Sequence, residues 1–252
     1  MLAAVRRAAE TVHFVVAAAV GGLSFVLVSF LGLLVVLVPG GARRAAVLLA
    51  RTFHFVMRAV LGWRMEVTGR EGLTAHAPCV IMVTHQSNLD IVVFGGVYPA
   101  RAVVVGKKEV GKIPVFGWFF RASGNILLDR KNLERAIASI REAAERVRRD
   151  RLSVWVFPEG HRNPGAVLLP FKKGAFHLAI AAQVPIVPVA CSPVTAVLDA
   201  HRWRVRPGSL RIKVLPPVPS AGLTPDRVDE LMERVRSAMQ AAKDELRYSA
   251  PG

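Results

Sequence analysis

Hydrophobic positions divide the chain into an apolar N-terminal quarter and a longer alternating remainder. From Thr11 to Ala42 there is no Asp, Glu, Lys or Arg, and Val, Leu, Ala and Phe fill most of the stretch. About 20 apolar residues carry a helix across a bilayer, so this run is long enough to span one. Gly21-Gly22 is a candidate kink, and Pro39-Gly40-Gly41 ends the run. A second segment, residues 45–61, is amphipathic, with Arg43 and Arg44 before it and Arg51 and Arg58 within it. A secretory leader would have a much shorter apolar stretch and a small-residue cleavage site, and neither is found. Basic residues flank the first segment on both sides, which leaves a spanning helix or a hairpin dipping into one leaflet. The hairpin is the expectation, because it keeps Arg6, Arg7 and the arginines at 43–58 on one, cytoplasmic, side.

Beyond residue 62 the pattern changes. A short strand and turn are predicted over 63–72. Short apolar runs follow at 79–84, 102–105, 126–128, 153–157, 184–190 and 210–215. Continuous β-branched runs of this length suit strands buried on both faces of a parallel sheet. Helices separate them. Asn132 is placed to cap one running to Asp150, with Leu133, Ile137, Ile140, Ala144 and Val147 on one stripe. Thr224-Pro225-Asp226 opens another, whose Val228, Leu231, Met232, Val235 and Met239 form its inner face. The alternation predicts an α/β fold: a mixed, largely parallel β-sheet flanked by helices, behind an N-terminal hydrophobic helical membrane segment. The expected division is 1–62 for a two-helix anchor and 63–252 for the α/β domain.

Charge narrows the partners. The chain has 252 residues, with 34 Lys and Arg against 18 Asp and Glu, a formal charge of +16. Such a surplus favours anionic partners, namely nucleic acid, a membrane surface or phosphorylated substrates. No basic patch interleaved with aromatics and no reading helix is present, so nucleic acid is not expected. Cys79 and Cys191 both lie in apolar, strand-like contexts and read as core residues, with no disulfide framework and no metal spacing.

Candidate chemistry sits where strands end, which is where α/β sheets bind ligands. His85 follows the strand at 79–84, with Asp90 five residues on. Imidazole titrates near neutrality and can take up and return a proton, while a carboxylate on one ring nitrogen fixes its tautomer. Taken alone, a His and an Asp at this spacing can also arise by chance. Three more clusters change that balance: Asp129-Arg130, Phe157-Pro158-Glu159-Gly160-His161-Arg162-Asn163, and Phe171-Lys172-Lys173-Gly174. Gly160 permits close backbone approach, and the planar fork of Arg162 suits phosphate oxygens. Lys172 opens a predicted helix, and Lys107 lies just past a strand. The fitting chemistry is a general base acting on a hydroxyl of a phosphorylated, membrane-resident acceptor. No Ser or Cys lies in a nucleophile elbow, which favours direct transfer. His13, His54, His76, His177 and His201 read as structural or loop residues.

These blocks resemble, in order, those of the phospholipid/glycerol acyltransferases, and most closely the bacterial PlsC-like 1-acyl-glycerol-3-phosphate acyltransferases. They are His-x4-Asp at 85–90, Gly-x-x-x-x-Asp-Arg at 124–130, Phe-Pro-Glu-Gly at 157–160 and Val-Pro-Ile-Val-Pro-Val at 184–189. The resemblance implies that His85 deprotonates the acceptor hydroxyl and Asp90 orients it. It implies an acyl thioester donor, acyl-CoA or acyl-carrier protein, with no cofactor. Arg130, Glu159, Gly160 and Arg162 would shape the glycerol-phosphate site, with Lys107 or Lys172 adding charge. The implied acceptor is lysophosphatidate, acylated at the cytoplasmic face of the inner membrane. Where the family usually continues its third block with Thr-Arg-Ser, this chain has His161-Arg162-Asn163. That departure leaves open another lysolipid acceptor, such as a lyso-ornithine lipid. A non-catalytic membrane-binding protein and a lipid-ester hydrolase are the alternatives from other classes.

Overall fold

The computed structural model describes residues 2–128 and 133–248. The apolar N-terminal run forms one continuous helix, α1 (Leu2–Val36), which turns back through residues 37–40 into α2 (Gly41–Leu61). The two are antiparallel. The His13 ring bonds the Val60 carbonyl at 2.7 Å, and further along Val28 packs with Ala45 and Leu49. Gly21 makes the close approach possible, since a Cβ there would sit 3.1 Å from the Met57 Cε.

The rest of the chain alternates as its pattern implies. In order come β1 (Trp63–Thr68), α3 (Gly72–Ala75), β2 (Val80–Val83), α4 (Asp90–Phe94), β3 (Ala102–Lys107), α5 (Phe116–Ala122) and β4 (Ile126–Leu128). Then follow α6 (Leu133–Asp150), β5 (Ser153–Val156), α7 (Gly174–Ala182), β6 (Ile186–Cys191), the short hairpin β7 (Leu198–Asp199) and β8 (Arg204–Val205), β9 (Gly208–Val214) and α8 (Val228–Tyr248). Seven strands make one sheet in the order β1-β9-β6-β2-β5-β3-β4. Every pairing is parallel except β6 with β9. The sheet is therefore mixed and largely parallel, as the strand pattern predicts.

Alternation along β2 sorts its residues between two cores. Ile81 and Val83 pack with Ala50, Phe53 and Met57 of α2, whereas Val80 and Met82 pack with Phe176 of α7 and Leu231 and Val235 of α8. The expected division at 62/63 falls on the α2–β1 junction, but one hydrophobic core runs across it. α2 thus covers one face of the sheet as an ordinary core helix does.

Two expectations change in detail. Ile137, placed on the inner stripe of α6, is 43% exposed, while Ala143, Ala144 and Val147 are buried. The adjoining β4 is three residues long and forms the sheet edge, so the first turns of α6 have little sheet beneath them. Asn132, the expected cap of that helix, lies outside the described residues. At the last helix, Thr224 donates to Asp226 Oδ1 at 2.5 Å instead of capping the backbone, and a 3₁₀ turn at Pro225–Arg227 precedes α8. Its inner residues Val228, Leu231, Val235 and Met239 are buried as their spacing requires.

Phe176 is fully buried beneath the sheet. Phe176→Ala should lower the unfolding free energy by about 3–5 kcal/mol, through lost transfer energy and an unfilled cavity. Denaturant unfolding of the purified protein in detergent measures it.

Candidate active site

β2 ends at Val83, and two residues later His85 starts a tight turn that leads into α4. The helix begins at Asp90 itself, so the carboxylate points back across the turn. His85 Nδ1 lies 2.6 Å from Asp90 Oδ2. The same carboxylate accepts the Gln86 N–H at 2.9 Å and the Ser87 N–H at 3.1 Å. Asp90 is 4% exposed, so its charge is held by these three donors. Burial pushes its carboxyl above the ordinary range, and the His85 ring and the two backbone donors oppose that rise. An acceptor at Nδ1 places the ring proton there and leaves Nε2 as the basic atom. The imidazole also stacks on the Phe157 ring, with centroids 4.1 Å apart and planes 22° from parallel.

Gln86 points the other way. Its amide donates to the Cys191 and Ser192 carbonyls and accepts the Val194 N–H, tying the dyad's turn to the end of β6. Because β2, β3 and β5 are parallel, their C-terminal ends lie along one edge and bring the other blocks to His85.

After β5 comes the loop 157–169, and its residues divide into two roles. Gly160, His161 and Arg162 line the cavity beside His85. Gly160 has φ 74°, a left-handed conformation that only glycine adopts without strain. Arg162 Nη1 donates to Asn88 Oδ1 in the dyad's own turn. Glu159, expected to touch the acceptor, is instead 1% exposed and absent from the cavity wall. One of its oxygens accepts the His85 N–H at 3.4 Å; the other accepts the Asn163 amide at 2.7 Å and the Leu169 N–H at 3.0 Å. Asn163 is also buried, and its N–H donates to the His85 carbonyl at 2.6 Å. Of the two departures in this block, therefore, His161 borders the cavity and Asn163 is part of the framework.

Lys107, at the end of β3, lines the cavity, as expected of a charge beside the site. Lys172 does not. Its backbone N–H bonds the Pro158 carbonyl at 2.8 Å and its side chain is exposed. Arg130 and its neighbour Asp129 lie outside the described residues. Cys79 and Cys191 are buried free thiols in the core, and burial pushes both above the usual thiol range.

The cavity measures about 680 Å³. Its polar wall, with His85, Lys107, His161 and Arg162, lies at the strand ends. Its apolar wall runs back along the strands and helices through Phe25, Leu49, Phe94, Tyr98, Phe119 and Trp155. Phe25 and Leu49 come from α1 and α2, a contribution that no motif announces. Residues of α8 brace the loop from outside: Lys243 Nζ donates to the Gly165 carbonyl at 2.6 Å, Gln240 bonds Leu168 and Ala166, and Arg236 bonds Leu168. Their spacings of four and three on one helix face were the available sequence signal.

The sequence pattern of the family described as Acyltransferase matches residues 64–192. The chain belongs to the acyltransferase family. The 1-acyl-sn-glycerol-3-phosphate acyltransferase of Saccharomyces cerevisiae is 38% identical over 202 residues, 79% of this chain and 66% of that protein. The human 1-acyl-sn-glycerol-3-phosphate acyltransferase alpha is 39% identical over 199 residues, 78% and 69% of the two chains. The match thus spans about two thirds of the length of these relatives. The crystal structure of the 1-acyl-sn-glycerophosphate acyltransferase PlsC from Thermotoga maritima superposes with a TM-score of 0.73 at 27% identity, covering 98% of both chains. The family and the fold expected from the ordered blocks are both borne out.

Glu159→Ala removes the acceptor for a buried amide and two backbone N–H groups. It should cost at least about 1–3 kcal/mol of stability and lower turnover while the His85–Asp90 pair stays intact. Thermal unfolding measured beside acyl-transfer rates checks both effects.

Proposed function

We propose that the chain is a 1-acyl-sn-glycerol-3-phosphate O-acyltransferase, which moves an acyl group from acyl-CoA or acyl-carrier protein to lysophosphatidate and so makes phosphatidate for phospholipid biosynthesis. The observation that carries this reading is a His–Asp dyad facing a cavity that is cationic at one wall and apolar at the other.

The geometry supports a direct transfer. His85 Nε2 takes the proton of the acceptor hydroxyl as its oxygen attacks the thioester carbonyl carbon. The imidazolium is stabilised by Asp90 through the Nδ1–H bond. When the tetrahedral intermediate collapses, the carbon–sulfur bond breaks, and the thiolate leaves with the proton held by His85. Among the described residues no Ser or Cys side chain is hydrogen-bonded to the ring, so the hydroxyl it activates is the acceptor's. Lys107 and Arg162 supply positive charge for the phosphate, and the resemblance adds Arg130. The cationic wall favours a phosphorylated acceptor over a lyso-ornithine lipid, and the intact, fully anchored dyad argues against a non-catalytic role.

Membrane contact follows from α1. Residues 5–36 form a helix long and apolar enough to cross a bilayer, and Val12, Val16, Leu23, Leu27, Phe30 and Leu34 make an exposed apolar ridge along it. The opposite side packs on α2, which carries Arg43, Arg44, Arg51 and Arg58 and covers the sheet. A helix bound along its length to such a partner is suited to lying in one leaflet. Net positive charge adds attraction to anionic headgroups. On this reading the catalytic domain works at the cytoplasmic face of the inner membrane, with the arginines of α2 against anionic headgroups.

His85→Ala should reduce transfer from acyl-CoA to lysophosphatidate by about 10²–10⁴-fold, the range general-base catalysis supplies; near-normal rates would remove the dyad from the mechanism. Arg162→Ala should raise the KM for lysophosphatidate roughly tenfold, equivalent to one charge-assisted contact. An equal change in the thioester's KM would take Arg162 out of the phosphate site.

A further inference from the structure

A second apolar space adjoins the dyad. A cavity of about 400 Å³ lies between α1, α2, the turn at 87–91 and the β7–β8 hairpin. Phe14, Ala17, Gly21, Leu89 and Val205 are among its walls, and among the described residues no charged side chain lines it. Phe25, Ser87, Asn88 and Ile91 border both this cavity and the catalytic one. The two spaces therefore meet at the turn that holds His85 and Asp90. Asn88, on the shared wall, is also the residue that Arg162 grips.

The outer rim of the second cavity is exposed. Ala18 and Gly22 line it and follow Val15 and precede Val26 on one strip of α1, at spacings of three and four. The groove thus opens beside the apolar ridge that faces lipid. The catalytic cavity differs in carrying exposed cationic and polar side chains on its wall, Lys107, His161 and Arg162.

The two substrates differ in the same way. A thioester's chain arrives from water on a polar carrier, so it must pass a polar mouth. A lysolipid's chain is already in lipid and needs only a sideways apolar groove with no charge to desolvate. The reaction joins two chains on one glycerol, and two apolar sites must converge on the reacting hydroxyl. We propose that the second cavity holds the acyl chain of the lysolipid acceptor, which leaves the catalytic cavity to the chain of the thioester. This rests on the reading of the protein as a lysophosphatidate acyltransferase.

Gly22 gives a clean test, because a Cβ built there meets nothing within 4 Å. A leucine at this position enters the groove without a backbone clash. Wild type and Gly22→Leu are compared in mixed micelles with oleoyl and hexanoyl lysophosphatidate as acceptors and a series of acyl-CoA donors. Each displaced methylene is worth roughly fourfold in affinity. The oleoyl-to-hexanoyl ratio of kcat/KM should therefore fall roughly fourfold to tenfold, with the ranking of donor chain lengths retained. If Gly22→Leu does not accumulate folded, Ala18→Leu at the same rim carries the same test. A shift in donor ranking in place of the acceptor ratio would assign the groove to the thioester and overturn the proposal. So would an unmoved ratio, which would mean the groove holds only bulk lipid. A wild type inactive with every lysophosphatidate would overturn the proposed reaction as well, whereas an active wild type with an unmoved ratio would overturn the groove alone.

Discussion

Burying the Asp90 carboxylate is the constraint on which the site depends. A charge taken out of water must be met by donors, and here they are the His85 ring and the N–H groups of Gln86 and Ser87. Meeting all three requires the chain to fold back on itself within the five residues from His85 to Asp90. That single requirement shapes the turn, starts α4 and sets the imidazole with Nε2 free. Gln86 then anchors the turn to β6, and Glu159 and Asn163 anchor the backbone of His85 to the loop after β5. His85 is thereby held by three strands of one sheet.

The same loop shows how framework and contact residues interleave. Glu159 and Asn163 face inward and are consumed by internal hydrogen bonds, while Gly160, His161 and Arg162 face the cavity. α8 braces this loop from the far side through Arg236, Gln240 and Lys243. Burial lowers the Lys243 ammonium below its ordinary range, and the nearby charges of Glu159 and Asp244 oppose that. A helix whose contacts lie 68 to 78 residues further along the chain thus supports the loop beside the cavity.

The N-terminal helices are less separable than an anchor would be. Their hydrophobicity serves two surfaces. One side of α1 presents an apolar ridge outward, and the other packs on α2, which in turn closes one face of the sheet. Phe25 and Leu49 therefore form walls of the cavity beside His85, so the outward ridge and part of the cavity wall are built on the same pair of helices.

How much was legible depended on the range of the physics involved. Strand runs, helix stripes and the spacing of His85 and Asp90 follow from local periodicity, so the α/β fold and the dyad could be read from the chain. Strand order, and with it the convergence of Lys107, His85 and Arg162 on one edge, depends on pairings between distant segments; the chain itself showed only that each of these clusters follows a strand. Whether a polar residue faces ligand or framework is undetermined by its type. Glu159 and Lys172 looked like substrate ligands because their blocks end strands or begin helices, yet the fold spends one on internal bonds and turns the other to solvent. The sequence by itself determined which residues are chemically capable and which segments must be buried. Only the tertiary structure decided which side of each loop faces the cavity, because that choice is made by packing across the sheet and not by neighbours along the chain.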